Sequence, residues 1–428
     1  MNEKFKQYFK EQGFAELTPI QQATQEALQA GENVLGIAPT GSGKTLAYAW
    51  PLLEKVMPGD GTQLVVMAPS QELAAQITDV IREWGKLIGL NTISLIGGTN
   101  IKRQIERLKK HPEIVVGTPG RMLQLIEQRK LRLHKVIAAV IDEADEMLQE
   151  KESMDTIRDI LSHAPSEIQL VFFSATKAPV FNEFHQWFGI EPQVIDVSDQ
   201  DITGGQVTHY LMETPTRKRV DMLRKIANLP EMHALVFFKQ TATLEEVYQK
   251  LQHHHIPVAM LSSNGRQTDR QQALAALKKG KLTFILTTDI AARGIDIPGL
   301  PAVINYDIPK DQTTYIHRAG RTGRMGAPGA VLNLGNEHEL RNFKQLMDQS
   351  KLDIQNGILY QGMLYGEEAM ADLDLKKRRQ HQKPVVKNEE QAKKKKKNRK
   401  RNRKNKGKPS AHKKKYRITM KGIKNCLQ

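Results

Sequence analysis

The stretch from Asn33 to Thr45, NVLGIAPTGSGKT, joins a short β-prone run to a glycine-rich turn that a helix-like segment follows. In this strand–turn–helix context, glycines let backbone N–H groups close around phosphate oxygens. Lys44 supplies a positive charge for the β- and γ-phosphates, and the Thr45 hydroxyl can ligate Mg²⁺. The candidate nucleotide-binding residues are Ala38, Pro39, Thr40, Gly41, Ser42, Gly43, Lys44 and Thr45.

The same turn has a plainer explanation, in which a glycine-rich connection carries Lys44 and Thr45 by chance. The strict phosphate-loop pattern also has glycine where this chain has Ala38. The strand before the turn and the helix after it favour a nucleotide loop, because that context is what the motif requires.

A second short motif, the DEAD string of Asp142–Asp145, follows the apolar run AAVI. Carboxylates at the carboxyl end of a parallel strand lie at the ligand crevice of an open sheet. Asp142 is suited to hold Mg²⁺, largely through water, and Glu143 to orient or deprotonate an attacking water. An acidic turn alone is weak evidence, but a phosphate loop in the same domain strengthens it.

Apolar runs alternate with amphipathic stretches along most of the chain, which predicts α/β architecture with parallel sheets covered by helices on both faces. The pattern pauses around residues 196–206 and then restarts. We therefore predict two α/β domains in tandem, 1–200 and 211–365, a linker at 201–210, and a tail at 366–428. The predicted strands are Asn33–Ile37, Gln63–Ala68, Thr92–Ile96, Glu113–Gly117, Ala138–Ile141, Gln169–Phe173, Ala234–Phe238, Val258–Leu261, Thr283–Thr287, Ala302–Ile304 and Ala330–Leu334.

The formal charge of +17 is unevenly distributed along the 428 residues. From Lys376 onward there are 24 Lys and Arg and two acidic residues, a net of +22, whereas the preceding residues carry a net of −5. Such a tail has too little apolar surface to fold alone and predicts a disordered, sequence-independent phosphate-binding arm. A nuclear localisation signal is the alternative explanation for this lysine run.

The composition also excludes several classes of protein. The single cysteine, Cys426, rules out an intrachain disulfide framework and a cysteine-based zinc cluster. The charged N-terminus lacks the apolar core of a signal peptide, and no stretch approaches about 18 consecutive apolar residues. We therefore expect a cytoplasmic protein without membrane contact.

The segment Tyr315–Gly326 reads YIHRAGRTGRMG and places Arg318, Arg321 and Arg324 at three-residue spacing. On a helical turn these arginines share one side, from which they could reach polyphosphate as arginine fingers. A basic surface helix is the alternative explanation.

With these motifs in order, the chain resembles the DEAD-box ATP-dependent RNA helicases over nearly all of residues 11–335. The resemblance implies that the two α/β domains are RecA-like parallel-sheet domains. The resemblance assigns Gln21, in GFAELTPIQ, to adenine, and Asp296 to the ATP ribose. Arg321 and Arg324 match the arginine fingers, while His317 and Arg318 match residues that bridge the domains. Ser174 and Thr176 of the SAT motif would couple hydrolysis to strand separation. RNA contacts are implied at Pro69, Gly98, Thr118, Arg121 and Thr288.

The sequence departs from the family pattern at three places. Gln71 stands where an arginine is usual, and Ser262 and Ser263 replace a usual His-Gly pair. An aromatic residue usual about seventeen positions before the glutamine motif is absent or replaced, which could weaken ATP binding or loosen adenine selectivity.

The resemblance implies an RNA-stimulated ATPase that uses ATP and Mg²⁺, acts as a monomer and locally unwinds short duplexes, in ribosome assembly or RNA turnover. One rival is an RNA clamp that uses ATP only to hold RNA. Another is a DNA helicase or translocase of the same superfamily, and a third is a catalytically dead scaffold. Strand displacement distinguishes the clamp, and selective stimulation by RNA distinguishes the DNA enzyme.

Overall fold

A computed structural model describes residues 2–199, 206–261, 267–292, 297, 299–323, 327–348, 350, 352–367 and 369. Within residues 1–370, which form one compact unit, the chain builds two successive α/β domains. Domain one comprises the described residues up to 199, and domain two those from 206 to 369. Most of the basic tail predicted at 366–428 lies outside the described residues, which end at residue 369.

Domain one is built on a sheet whose described strands are all parallel. The strands are β1 (Val34–Ile37), β2 (Leu64–Met67), β3 (Thr92–Leu95), β4 (Ile114–Gly117), β5 (Ala138–Asp142), β6 (Gln169–Ser174) and β7 (Gln193–Asp196). Their order across the sheet is β3-β4-β2-β5-β6-β1-β7. The first six coincide with predicted strands, whereas the edge strand β7 was not predicted.

Helices cover both faces of this sheet. They are α1 (Glu3–Glu11), α2 (Pro19–Ala30), α3 (Lys44–Leu53), α4 (Gln71–Lys86), α5 (Ile101–Leu108), α6 (Pro119–Glu127), α7 (Ala144–Met147), α8 (Lys151–Ser162) and α9 (Phe184–Phe188). Consecutive strand residues point to opposite faces, so Val34 joins the core beneath one helical layer and Leu35 the core beneath the other. A side chain at Gly36 would lie 2.7 Å from the Phe173 ring, which explains the glycine inside β1.

The N-terminal helix α1 belongs to the first of these cores. Phe5 is fully buried, and its ring meets Trp84 edge-on at 5.6 Å, while the ring of Phe9 meets Trp50 at 5.4 Å. These contacts fix α1 against domain one.

Domain two repeats the architecture with a larger sheet. Its strands are β8 (Val207–Glu213), β9 (Ala234–Phe238), β10 (Val258–Met260), β11 (Phe284–Thr288), β12 (Ala302–Asn305), β13 (Gly329–Gly335), β14 (Ile354–Tyr360) and β15 (Met363–Gly366). The order is β10-β11-β9-β12-β13-β8-β14-β15, and β14 and β15 form the antiparallel pair. The two parallel-sheet domains confirm the predicted fold class.

One boundary differs from the prediction. Residues 207–210 were assigned to the linker but begin β8, which pairs with β13 on one side and β14 on the other. The β14–β15 hairpin follows the last described helix of domain two. The described helices of this domain are α10 (Arg219–Ala227), α11 (Thr241–His253), α12 (Gln267–Lys278), α13 (Asp289–Ala292), α14 (Gln312–Ala319) and α15 (Glu337–Leu346).

Candidate active site and nucleic-acid interface

The sheet order of domain one separates two groups of predicted site residues. The phosphate loop, the acidic motif and the SAT motif follow β1, β5 and β6, which are neighbours in the sheet. Pro69, Gly98 and Thr118 follow β2, β3 and β4, which form the other half. Because the carboxyl ends of parallel strands meet at one edge, both groups lie along the same crevice.

The phosphate loop holds its lysine in place through backbone oxygens. The Nζ atom of Lys44 donates to the carbonyl oxygens of Ala38 at 2.7 Å and Pro39 at 3.0 Å. Gly43 has φ of +88°, and a side chain there would lie 2.5 Å from Gln21. The loop therefore requires glycine at this position.

Gln21 is fixed from both ends of its amide. The Nε2 atom donates to the Gly43 carbonyl at 3.2 Å, and the Oε1 atom accepts from the Thr18 backbone N–H at 3.0 Å. The side chain is buried beside the phosphate loop. Its contacts thus tie helix α2 to the turn that would hold a nucleotide.

Asp142 lies at the end of β5 and is 3% exposed. Its Oδ2 atom accepts a hydrogen bond from the Tyr48 hydroxyl at 3.0 Å, and its Oδ1 atom accepts from the Glu143 backbone N–H at 2.9 Å. Burial raises the pKa of Asp142 to about 6, with the Lys44 charge acting in the opposite direction. A nearby cation would favour the ionised carboxylate, which fits the role of a magnesium ligand.

Tyr48 was not predicted as a site residue. It is fully buried one turn into α3, and burial, followed by the Asp142 charge, raises its pKa well above the ordinary value. The phenol therefore remains a hydrogen-bond donor to Asp142. The Thr45 side chain acts on the same phenol, so the two predicted magnesium ligands lie around one buried hydroxyl.

Glu143 has the left-handed backbone conformation, with φ of +53°. Its Oε1 atom lies 3.9 Å from a terminal nitrogen of Arg321 in domain two, and its Oε2 atom is buried without a hydrogen-bond partner. The Ser42 hydroxyl in the phosphate loop is also buried without a partner. Unsatisfied buried polar atoms are costly, so these two positions fit the binding of a polar ligand such as a nucleotide with its water.

Asp145 joins three predicted site residues in one network. Its Oδ2 atom accepts from the Thr176 backbone at 3.1 Å and from the Thr176 hydroxyl, and it lies 3.0 Å from His317 Nε2 of domain two. Ser174 donates to the Thr176 carbonyl at 2.6 Å. Burial alone would raise the pKa of Asp145, but hydrogen bonds from His317 and Thr176 hold it below its usual range.

Between the domains lies a cleft of about 180 Å³. Glu146, Gln149 and Glu150 line it from domain one, and the His317–Arg321 turn lines it from domain two. A side chain at Gly320 would lie 3.1 Å from the Thr40 hydroxyl, so this turn lies directly against the phosphate loop. The structure thus brings together the predicted residues Thr40, Glu143, His317 and Arg321, and it adds Asp145, which was not predicted as a site residue.

Arg318 differs from its expected bridging position. Although it lines the cleft, its hydrogen bonds run to Asp289 at 2.6 and 2.8 Å, to Asn305 at 2.8 Å and to the Asp307 carbonyl at 2.7 Å, all within domain two. Its guanidinium also lies 5.0 Å from the centroid of the Phe237 ring. Buried guanidinium groups need such partners, so Arg318 stabilises domain two behind the cleft.

The predicted RNA contacts of domain one lie around a second opening. Pro69 and Thr118 line a groove of about 280 Å³. Arg121 donates to the Gln104 side chain at 3.1 Å, and Gln104 in turn donates to the Ile96 carbonyl at 2.8 Å. Buried Gln104 therefore links Arg121 to the loop that carries Gly98, a connection that sequence reasoning missed.

The atypical Gln71 lies over the same loop. A side chain at Gly97 would lie 3.0 Å from Gln71 Nε2, and one at Gly98 would lie 3.2 Å from Gln71 Oε1. Gly98 has φ of +65°, so both space and backbone conformation favour glycine. The position of Gln71 against both glycines makes it a support for the glycine loop.

In domain two, Thr288 ends β11, and its side-chain oxygen accepts from the Ala291 backbone N–H at 3.5 Å.

A further pair of residues connects the domains near this interface. Arg270 of α12 lies 3.4 Å from the Glu72 carboxylate of α4, and its side chain is 11% exposed. No sequence signal marked this pair, because its members are about 200 positions apart. Four predicted or atypical residues, Asp296, Arg324, Ser262 and Ser263, lie outside the described residues.

Two RecA-like domains that bring a phosphate loop, an acidic motif and an arginine to one crevice define an ATP-driven motor class. The family model described as DEAD/DEAH box helicase matches residues 18–184, and the helicase conserved C-terminal domain matches 218–326. The chain belongs to the DEAD-box RNA helicase family, and it is an ATP-dependent RNA helicase that binds ATP and RNA.

The similar proteins agree with this placement. The chain is 38% identical to the probable ATP-dependent RNA helicase YfmL of Bacillus subtilis over 353 residues, which cover 82% of this chain and 93% of that protein. It is also 38% identical to the DEAD-box ATP-dependent RNA helicase CshC of Bacillus cereus, over 79% and 87% of the two chains.

Among solved structures, Dbp5 of S. cerevisiae bound to RNA and ADP BeF3 is similar, with a TM-score of 0.75 and 26% identity. The match covers 83% of this chain and 93% of that one. In the described part of this chain, none of the helices is both long and apolar enough to cross a membrane.

Proposed function

We propose that this helicase separates short RNA duplexes locally, without travelling along them, through ATP-dependent closure of its two domains. The observation that carries this proposal is the Asp145 network, which joins the SAT motif of domain one to His317 of domain two. A change in the distance between the domains would reach Thr176 through a single carboxylate. Such a connection suits a cycle of closing and reopening better than continuous stepping.

The proposed roles follow from the contacts around the crevice. Lys44 and the backbone of residues 38–45 bind the phosphates, and Gln21 recognises adenine. Glu143 orients and deprotonates the attacking water, and Arg321 stabilises the charge that develops on the transferred phosphoryl group. The 3.9 Å approach of Arg321 to Glu143 supports an active site composed of both domains.

Mg²⁺ is the proposed metal, with Thr45 and Asp142 as its protein ligands, largely through water. When bound, the ion would neutralise phosphate charge during hydrolysis. Burial raises the pKa of Asp142 to about 6, and a bound cation would favour the ionised carboxylate that this role requires. Its fixed orientation comes from Tyr48.

RNA is proposed to lie across Pro69, Gly98, Thr118 and Arg121 of domain one and Thr288 of domain two. These residues follow strand ends and flank the acidic motif, so RNA and ATP would occupy neighbouring parts of one crevice. Asp296 and Arg324 are assigned by resemblance to the ribose and to the second arginine finger. Contacts to phosphates and 2′-hydroxyls would make this interface independent of sequence.

For the cellular role, we propose a cytoplasmic monomer that acts in ribosome assembly or RNA turnover. The bacterial relatives support an RNA role, and crosslinking in cells followed by sequencing of the bound RNA would test this assignment. Enrichment of ribosomal RNA precursors would favour assembly, whereas enrichment of messenger RNA would favour turnover.

Strand displacement tests the proposed activity. With ATP, the protein should separate a duplex of about ten base pairs, and separation should weaken steeply as the duplex lengthens, because each added step contributes roughly 1–2 kcal/mol of stacking. Glu143→Gln should bind ATP and RNA but lose about a hundredfold or more in turnover, as loss of a general base does. RNA-stimulated hydrolysis without any strand separation would instead favour the clamp.

A further inference from the structure

A strongly basic cleft lies on domain one at the sheet edge opposite the ATP crevice. The cleft encloses about 610 Å³ and is lined by the loops 59–62 and 129–135 and by the segment 105–111, which comprises the end of α5 and the loop after it. These loops precede β2, β4 and β5, which are adjacent in the sheet, so they meet at the amino ends of the strands. We define this cavity as the basic cleft.

The loops around the basic cleft are held in place from below. Glu113 is 2% exposed, and its carboxylate accepts from the Gly59 backbone at 2.7 Å and from the Asn91 backbone at 2.8 Å. Thr62 donates to the Pro112 carbonyl at 3.0 Å. These buried contacts give the cleft a defined shape in the absence of a ligand.

The segment that forms one wall alternates buried leucines with exposed basic residues. Leu131 and Leu133 are each 3% exposed and pack in the core, whereas Lys130, Arg132 and His134 point outward. This alternation has the two-residue period of extended chain. The apolar positions anchor the wall, and every residue between them presents a basic group to the cleft.

Much of this positive charge has no acidic partner. Lys135 pairs with Asp60, and Lys109 pairs with Glu106 at 2.7 Å. Across the described part of the chain, Arg129, Lys130 and Arg132 form no ion pair. The residues that line the cleft include five Lys and Arg and one acidic residue, Asp60, a net of +4 in a body whose net charge is −5. The cleft is therefore a concentrated positive region on an otherwise mildly acidic surface.

We propose that the basic cleft binds the phosphate backbone of a second RNA segment, beyond the one held at the ATP crevice. A single phosphate is too small for 610 Å³, and the charged groups are exposed side chains on separate loops. That arrangement suits a polyphosphate chain that passes over several cations, rather than a small anion enclosed by backbone N–H groups. This inference goes beyond the proposed unwinding site, although it rests on RNA as the substrate.

The position of the cleft also predicts how the second segment relates to the first. Strand β5 runs for five residues from the cleft edge to Asp142, roughly 16 Å at the rise of a strand. A duplex or folded extension of the RNA in the crevice can span this distance, and we take the second segment to be such an extension.

Chemical footprinting of the full chain tests this directly. One RNA is a single strand of about ten nucleotides, and the other carries the same strand joined to a stem of about 16 base pairs. Acetylation of Lys130 should be slowed by the extended RNA but not by the short one. Lys10, an exposed lysine of α1, is the internal control and should react equally with both.

A charge reversal provides the second readout. Lys130→Glu with Arg132→Glu should weaken binding of the extended RNA by roughly tenfold and lower its salt slope by about 1 to 2. Affinity for the short RNA and turnover at saturating short RNA should remain unchanged. Lys10→Glu with Lys86→Glu makes the same change in net charge elsewhere on domain one and should leave both RNAs unaffected.

Three results would overturn the proposal. Equal reaction of Lys130 with and without extended RNA, together with equal binding of that RNA by the two double variants, would leave an acidic protein as the better occupant. Protection of Lys130 by inorganic phosphate at constant ionic strength, to the same degree as by RNA, would indicate a small-anion site. An equal loss of affinity for the short and the extended RNA in the Lys130 and Arg132 double variant would place the effect at the ATP crevice. Stimulation of ATP hydrolysis by short RNA tests the proposed function separately.

Discussion

The Nε2 atom of His317 lies 3.0 Å from the Oδ2 atom of Asp145, and this contact joins domain two to the acidic motif of domain one. The Asp145 side chain is fully buried, and the same oxygen accepts from the Thr176 backbone. A shared acceptor makes the three groups dependent on one another. The pair therefore connects interdomain contact with the SAT motif.

His317→Ala should lower RNA-stimulated turnover by roughly ten- to a hundredfold, because the mutation leaves the Asp145 carboxylate with one fewer donor at the interface. Combined with Asp145→Asn, the loss should be smaller than the sum of the separate effects, with an interaction energy of about 1–3 kcal/mol. Steady-state ATPase assays with and without RNA give these values. Additive effects would show that the two side chains act independently. The control is His338→Ala, which changes an exposed histidine of α15.

Arg321→Ala should reduce turnover by about a hundredfold or more with little change in ATP affinity, since an arginine finger acts mainly on transition-state charge. Single-turnover hydrolysis and nucleotide binding separate the two quantities. Arg341→Ala, which removes an exposed arginine of the same domain near Glu337, should retain normal turnover. A loss confined to ATP affinity would contradict the assignment of Arg321.

Arg219 provides a stability prediction for domain two. It is 2% exposed, pairs with Asp307 at 3.1 Å and with Glu339, and donates to the Tyr306 carbonyl at 3.0 Å. Arg219→Ala leaves two carboxylates without their cation and should lower the free energy of unfolding by about 3–5 kcal/mol. Arg224→Ala removes an exposed pair with Asp221 and should cost under about 1 kcal/mol. Denaturant titration of both variants measures the difference.

The sequence predicted the central strands well because they are buried on both faces. Runs such as QLVFF and ALVFF are apolar throughout, and parallel sheets covered by helices select such runs. The missed strands differ in composition and exposure. In β7, Gln193 and Val194 are exposed, and β8 carries buried His209, whose ring nitrogen lies 2.6 Å from the Tyr315 hydroxyl. Polar or edge strands lack the uniform apolar pattern that identifies the others.

For the site, short motifs identified groups whose spacing along the chain is fixed. Contacts between distant segments were not accessible in this way. Tyr48 donates to Asp142 across 94 positions, and Gln104 of α5 meets Arg121 of α6. The partners of Arg318 likewise depend on where β11 and β12 end. Packing, rather than local sequence, decides which polar side chains meet.

Tyr48 and Asp142 give a prediction for pH dependence. Burial raises the pKa of Asp142 to about 6, so turnover that needs the ionised carboxylate should fall as pH drops through about 6. Tyr48→Phe removes a hydrogen bond that favours the ionised form, and it should move this limb of the profile to higher pH. The control is Tyr8→Phe, which removes a hydroxyl of α1 near Glu83 and should leave the acidic limb of the pH profile in place.

The stability of the folded protein should depend on the ionisation of Asp142 in the opposite direction to turnover. Because the pKa is higher in the folded state, the contribution of Asp142 is fully present below its ordinary pKa and is lost as pH rises through about 6. Tyr48→Phe should enlarge that loss. The free energy of unfolding, measured without nucleotide at pH values from about 4 to about 7, tests this prediction. A pH profile of turnover identical to that of the unmodified protein would show that Tyr48 does not act on Asp142.

The basic tail yields the last prediction, which rests on the charge split between −5 and +22. If residues 376–428 are a phosphate-binding arm, deleting them should remove most nonspecific RNA affinity. Each phosphate neutralised on single-stranded RNA adds roughly 0.7 to the slope of log affinity against log salt, so the full chain should show the steeper slope. Turnover at saturating RNA should change little, while the RNA concentration for half-stimulation should rise, since a tethered arm increases the local RNA concentration. Equal slopes on short unstructured RNA would instead indicate a tail that binds a protein or serves solubility.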